Sequence, residues 1–135
     1  MSFDSFFRSY LDTALWSSAG GDDEYLDAKY SSGDFAARTR KHLEKDAKDF
    51  YEKNEHLWSG KTPGRSSGDE RAGHDFWLTR NGHGAGFWEG EYEDEAGNET
   101  GNALTKASKR YGEENLYISR GKVRAEREPV IRRSR

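Results

Sequence analysis

Hydrophobic positions along the chain fall into short runs whose spacing changes from segment to segment. Over residues 4–17, Phe6, Phe7, Tyr10, Leu11, Ala14 and Leu15 recur at steps of three and four, with Phe3 just ahead. That is one apolar stripe on a helix, and Gly20-Gly21 ends it. A second helix is predicted from Asp34, as N-cap, to about Leu57. Phe35, Leu43, Ala47, Phe50, Tyr51 and Leu57 form its buried side. Acid-first pairs Glu44–Lys48 and Asp49–Lys53 support its wet side, each by a few tenths of a kcal/mol. Between the two helices lies an acidic linker, pinned by Tyr25, Leu26 and Tyr30.

Residues 59–73, SGKTPGRSSGDERAG, are rich in breakers and lack a period. They predict a surface loop. The densest aromatic stretch follows, His74 to Trp88, with Asn81-Gly82 near its middle. Asn-Gly between apolar runs is a strong hairpin signal, because both residues tolerate positive φ. It predicts antiparallel strands at roughly 75–80 and 83–88. A two-residue turn pairs Phe76 with Phe87, Leu78 with Ala85 and Arg80 with His83. A four-residue turn over Asn81 to Gly84 pairs Leu78 with Phe87 and Trp77 with Trp88. Both registers leave large apolar groups on both faces, so the Trp77/Trp88 face needs a helix or a partner to cover it.

Downstream, residues 90–101 predict an acidic loop. Residues 102–111 predict a third helix with Leu104, Ala107 and Tyr111 on one side and Gly112 as its stop. Leu116 to Ile118 read as a strand, Arg120-Gly121 as a turn, and Val123 as the start of a short last strand. The order is helix, helix, strand, strand, helix, strand, with a final short strand. The fold class is therefore α+β: a small antiparallel sheet built on a central hairpin and packed against two or three helices. Residues 1–125 form one domain, and 126–135 a basic, frayed tail. Phe6, Leu11, Phe35, Leu43, Phe50, Leu78, Phe87, Leu104 and Ile118 are the expected core.

Charge changes the picture more than total composition does. Residues 1–105 hold 12 Lys/Arg and 21 Asp/Glu, a net of −9; residues 106–135 hold 10 and 4, a net of +6. There is no cysteine, hence no disulfide and no thiolate chemistry. No apolar run approaches a membrane span. The N-terminal segment has no signal-peptide pattern.

Candidate chemistry is sparse. His42, His56, His74 and His83 show no metal-ligand spacing. The acidic loop fails the EF-hand pattern: counted from Glu91, position six is Ala96 and position twelve Asn102. Gly82 to Gly86 lacks the ending of a P-loop, and no nucleophile elbow is present. No catalytic constellation assembles, and nothing calls for a cofactor.

The segment AGHDFWLTRNGHGAGFWEG, residues 72–90, resembles a motif of small uncharacterised proteins of tailed bacteriophages and related mobile elements. FRSYLDTALWSS, residues 7–18, and LTKASKRYGEENLYIS, residues 104–119, are similar to the same group. The resemblance implies a bacterial cytoplasm and transfers no catalytic residue. Two functions follow as expectations. The first is an accessory binding module acting on a host or phage protein, in the manner of a counter-defence protein, with Trp77, Trp88, His74, His83 and Arg80 as its surface. Aromatic side chains dominate interface energetics. The pattern leaves homo-oligomerisation open. The alternative is a nucleic-acid accessory protein using Arg124, Arg127, Arg132 and Arg133.

Overall fold

The computed structural model describes residues 2–19, 24–64, 67–82 and 85–129. Among the described residues, four α-helices are followed by one hairpin: α1 Phe3–Ser17, α2 Ala37–Asn54, α3 Gly68–Arg80, α4 Gly101–Lys109, β1 Leu116–Ser119 and β2 Lys122–Ala125. The class is α+β, a small antiparallel sheet with helices. The sheet lies at the end of this order, not at residues 75–88.

Helix α1 starts where the Ser2 side chain accepts from the Ser5 N–H. It buries Phe6, Phe7, Tyr10, Leu11, Ala14 and Leu15, the stripe expected from the sequence. Helix α2 begins two residues later than predicted, with Ala36 at the N-cap position. Asp34 does not cap it; Asp34 instead closes a capping box with Ser31 around the short turn Ser32–Asp34. Leu43, Ala47 and Phe50 face the core. A single 3-10 turn, Glu55–Leu57, extends the helix.

Helix α3 overturns the central expectation. Residues 75–80 are helical, and the helix begins at Gly68, inside the stretch expected to be loop. Ser67 caps it by accepting from the Glu70 N–H. Asp69 in the first turn is buried and accepts from Trp58 Nε1 at 3.0 Å and Ser2 N at 2.8 Å. A carboxylate there satisfies free donors and suits the positive helix end. The helix stops at Asn81, and Gly82 takes φ +68°. The Asn-Gly pair is thus a turn, but one that ends a helix. A glycine with positive φ serves a helix terminus as well as a hairpin.

Helix α3 packs closely on α1. A Cβ at Gly73 would stand 2.1 Å from the Phe6 carbonyl oxygen, so only glycine permits this approach. The aromatic core fills the remaining space. Phe50 and Phe76 stack at 4.0 Å and 8°, Phe6 and Trp58 at 5.7 Å and 4°, and Phe87 lies 5.9 Å from Phe50. Phe76 and Phe87 therefore share the core without being strand partners. Of the nine expected core residues, eight are buried and Ile118 is half-buried.

The hairpin pairs Leu116 with Ala125, Tyr117 with Arg124, Ile118 with Val123 and Ser119 with Lys122. Arg120 and Gly121 have φ +53° and +75°, as a tight turn with both central residues at positive φ requires. Val123 and Ala125 are buried, and Ala36 N–H donates to the Val123 carbonyl. This docks the sheet at the start of α2. Residues 126–129 are not frayed: Glu126 N–H donates to Asn115 O, Thr39 and the Ala125 N–H donate to Glu128, and Arg38 donates to Pro129 O.

Candidate functional site

The residues expected to form the interaction surface are not brought together. Trp77 is 1% exposed, and its Nε1 donates to Ser17 Oγ at 3.0 Å. Trp88 is 39% exposed on the 3-10 turn Phe87–Glu89, with Lys109 Nζ 6.0 Å from its ring centroid. Once residues 75–80 are helical, no strand face can hold both indoles. His83 lies outside the described residues.

Arg80 is also a core group. It donates to Gly112 O at 2.9 Å, Tyr111 O at 3.0 Å and the Tyr10 hydroxyl at 2.9 Å, and pairs with Asp46 at 3.2 Å. The helical register aims it at the carbonyls of the turn that follows α4. Burial pushes the Tyr10 hydroxyl up to about 12, partly offset by the Arg80 charge.

His74 sits on the outer side of α3. Its Nδ1 is 2.7 Å from Oδ1 of the fully buried Asp75. Because a carboxylate only accepts, the Nδ1 carries the proton. Asp75 Oδ2 accepts from Arg71 Nε at 3.2 Å and the Tyr92 hydroxyl at 2.6 Å. Burial, then the Asp75 charge, push the Tyr92 hydroxyl far above the usual phenol range. The half-exposed Trp16 indole stacks on His74 at 5.6 Å, at the edge of an open groove of about 410 Å³ between α1 and α3. Arg8, Asp12 and Glu70 line that groove with mixed charge. Among the described residues, no group of three or more His, Asp or Glu is placed to hold a metal.

The hairpin carries a different surface. Alternation along its strands puts Leu116, Ile118, Val123 and Ala125 inward, and Tyr117, Ser119, Lys122 and Arg124 outward. Tyr117 is 42% exposed and directly opposite Arg124. The turn adds Arg120, and the first turn of α2 adds Arg38. Arg38, Tyr117, Ser119, Arg120, Arg124 and Pro129 line a groove of about 330 Å³, together with Glu126 and Glu128. No ion pair among the described residues engages Arg38, Arg120, Lys122 or Arg124.

Of the basic residues expected to contact nucleic acid, Arg124 therefore faces outward. Arg127 is folded back instead. Its guanidinium donates to Tyr111 O at 3.2 Å and Glu113 O at 3.0 Å, closing the end of α4. Arg132 and Arg133 lie outside the described residues. Sequence reasoning missed Tyr117, Lys122, Arg120 and Arg38. The signal was present as period-two alternation in LYIS and KVRA, with polar and basic residues on one parity. The Asp75 cluster left no such signal, since Tyr92 and Arg71 meet it only through the tertiary fold. Comparisons with protein-family models, curated proteins and solved structures find no match to this chain.

Proposed function

We propose that the chain is a small accessory binding module that holds a nucleic-acid phosphate backbone on the outward face of its hairpin. One observation carries this reading: Arg38, Arg120 and Arg124 line one groove, Lys122 shares the outward face of the hairpin beside it, and none of the four is in an ion pair among the described residues. Lysine and arginine bind nucleic acid by displacing condensed counterions from phosphates. The acidic remainder, net −9 over residues 1–105, repels a polyanion and confines contact to this end. The similarity of residues 72–90 to tailed-phage proteins is what supports a phage or mobile-element setting in a bacterial host.

Four phosphate contacts give a salt slope of about −2.8 for a single strand and −3.6 for a duplex. Between 50 and 200 mM salt, affinity then falls about 50-fold or 150-fold. Fluorescence anisotropy with labelled oligonucleotides at both salt concentrations tests the reading. Arg124→Glu should weaken binding at low salt without moving the melting temperature. Absence of binding at 50 mM salt with tens of micromolar protein refutes it.

A second reading, a protein partner, retains one observation. The exposed Trp16 indole stacks on His74 at the α1–α3 groove. An exposed aromatic in a groove suits an interface anchor. Trp16→Ala should then abolish capture of a specific protein from bacterial lysate while leaving oligonucleotide binding intact. Capture that survives this substitution removes the reading.

A further inference from the structure

We infer that the hairpin groove takes single-stranded rather than duplex nucleic acid, with one base stacked on the Tyr117 ring; this rests on the phosphate-binding reading above. Tyr117 is the large exposed aromatic of the basic face, and its cross-strand neighbour is Arg124. An aromatic ring beside a guanidinium is a stacking platform, usable by any base because every base has a π-face. Bases inside a duplex have their faces covered by their neighbours. Only an unpaired base has one to offer this ring.

Shape and charge point the same way. The groove of about 330 Å³ lies at the small end of ligand sites, which run from roughly 300 to 1,000 Å³. A volume of that size suits one base rather than a length of double helix. Four residues of ribbon extend only about 14 Å. A duplex, stiff over about 50 nm, would run on past the ribbon at a fixed angle to the acidic body. A single strand bends away from that repulsion.

The acids in the groove define the polarity of the pose. Glu128 already accepts from Thr39 and the Ala125 N–H. Glu126 is exposed and disfavours a phosphate on its side. Phosphates therefore lie along Arg120, Lys122 and Arg124, and the base lies on the Tyr117 ring.

The test uses the full chain and two labelled probes, oligodeoxythymidylate of about 12 nucleotides and a mixed-sequence duplex of the same length. Single-strand binding should be the tighter. Tyr117→Leu should weaken it by about 5-fold or more, the lower end of a lost base stack, and leave the duplex signal unchanged. Tyr117→Phe, which keeps the ring, should retain single-strand affinity. Arg124→Gln should weaken both probes. The melting temperature of each variant checks that the fold is intact.

If Arg124→Gln weakens binding while Tyr117→Leu does not, the stacking inference is wrong and the phosphate-binding reading stands. Equal or tighter duplex binding also overturns the inference alone. If neither probe binds, both fail. Binding of poly-glutamate with loss in Arg124→Gln, without oligonucleotide binding, reassigns the face to an acidic protein and overturns both.

Discussion

Replacing Arg80 with methionine keeps much of the side-chain volume and removes the guanidinium. Two acceptors then lose their donor, the Gly112 carbonyl and the Tyr10 hydroxyl, while the Tyr111 carbonyl keeps the Arg127 guanidinium. Each orphaned buried group costs about 1–3 kcal/mol. Asp46, at 31% side-chain exposure, regains water and suffers less. Against this stands the desolvation penalty of the cation, several kcal/mol, which the substitution recovers. The net follows measured losses on breaking buried pairs, about 3–5 kcal/mol. For 135 residues the unfolding entropy near the midpoint is about 0.28 kcal/mol/K, so the midpoint should fall by about 11–18 °C. Differential scanning calorimetry at neutral pH measures it. Asp46→Asn serves as control and should cost about 1 kcal/mol or less, because a partly hydrated pair is screened. A fall below about 4 °C for Arg80→Met, or equal falls in the two variants, would refute the claim that Arg80 clasps α3 to the end of α4.

Further outcomes follow from the packing. Gly73→Ala should destabilise, although alanine is the better helix former by about 1 kcal/mol; its Cβ meets the Phe6 carbonyl, and a raised midpoint would show that α1 and α3 separate at no cost. Trp77→Ala should cost about 3–5 kcal/mol in chemical denaturation, and Trp88→Ala, on a ring 39% exposed, far less; similar losses would mean the two indoles share one environment. Buried Tyr10 and Tyr92 hold their protons above pH 10 in the fold but lose them in the unfolded chain. Stability should be full below pH 10 and fall as pH rises, by about 1.4 kcal/mol per unit for each ring; for Tyr10 this ends near pH 12. Equilibrium unfolding between pH 9 and 11 checks the slope, and a flat profile would contradict it.

The sequence alone determined the elements with one wet and one dry side. Helix α1 shows its stripe because one flank faces water, and α4 shows Leu104 and Ala107 for the same reason. The C-terminal strands and the Arg120-Gly121 turn were legible from alternation and turn chemistry. Helix α3 was not, because it lies at the centre. It buries Ala72, Phe76, Trp77 and Leu78 together with Asp75, Thr79 and Arg80, so no apolar stripe recurs along it. Over residues 75–80 every position is buried, and a helical segment covered on all sides loses the period by which helices are recognised. Its buried charges disguise it further, since Arg80 and Asp75 find their partners on α1, α2 and the segment containing Tyr92. The Asn-Gly signal was also degenerate: positive φ at Gly82 fits both a hairpin and a helix end, and only packing chose between them. Outward residues of the hairpin were set by sequence parity. That Arg38 of α2 joins them at one groove was decided by docking the sheet on Phe35 and Ala36, a contact between segments about ninety residues apart that no local pattern encodes.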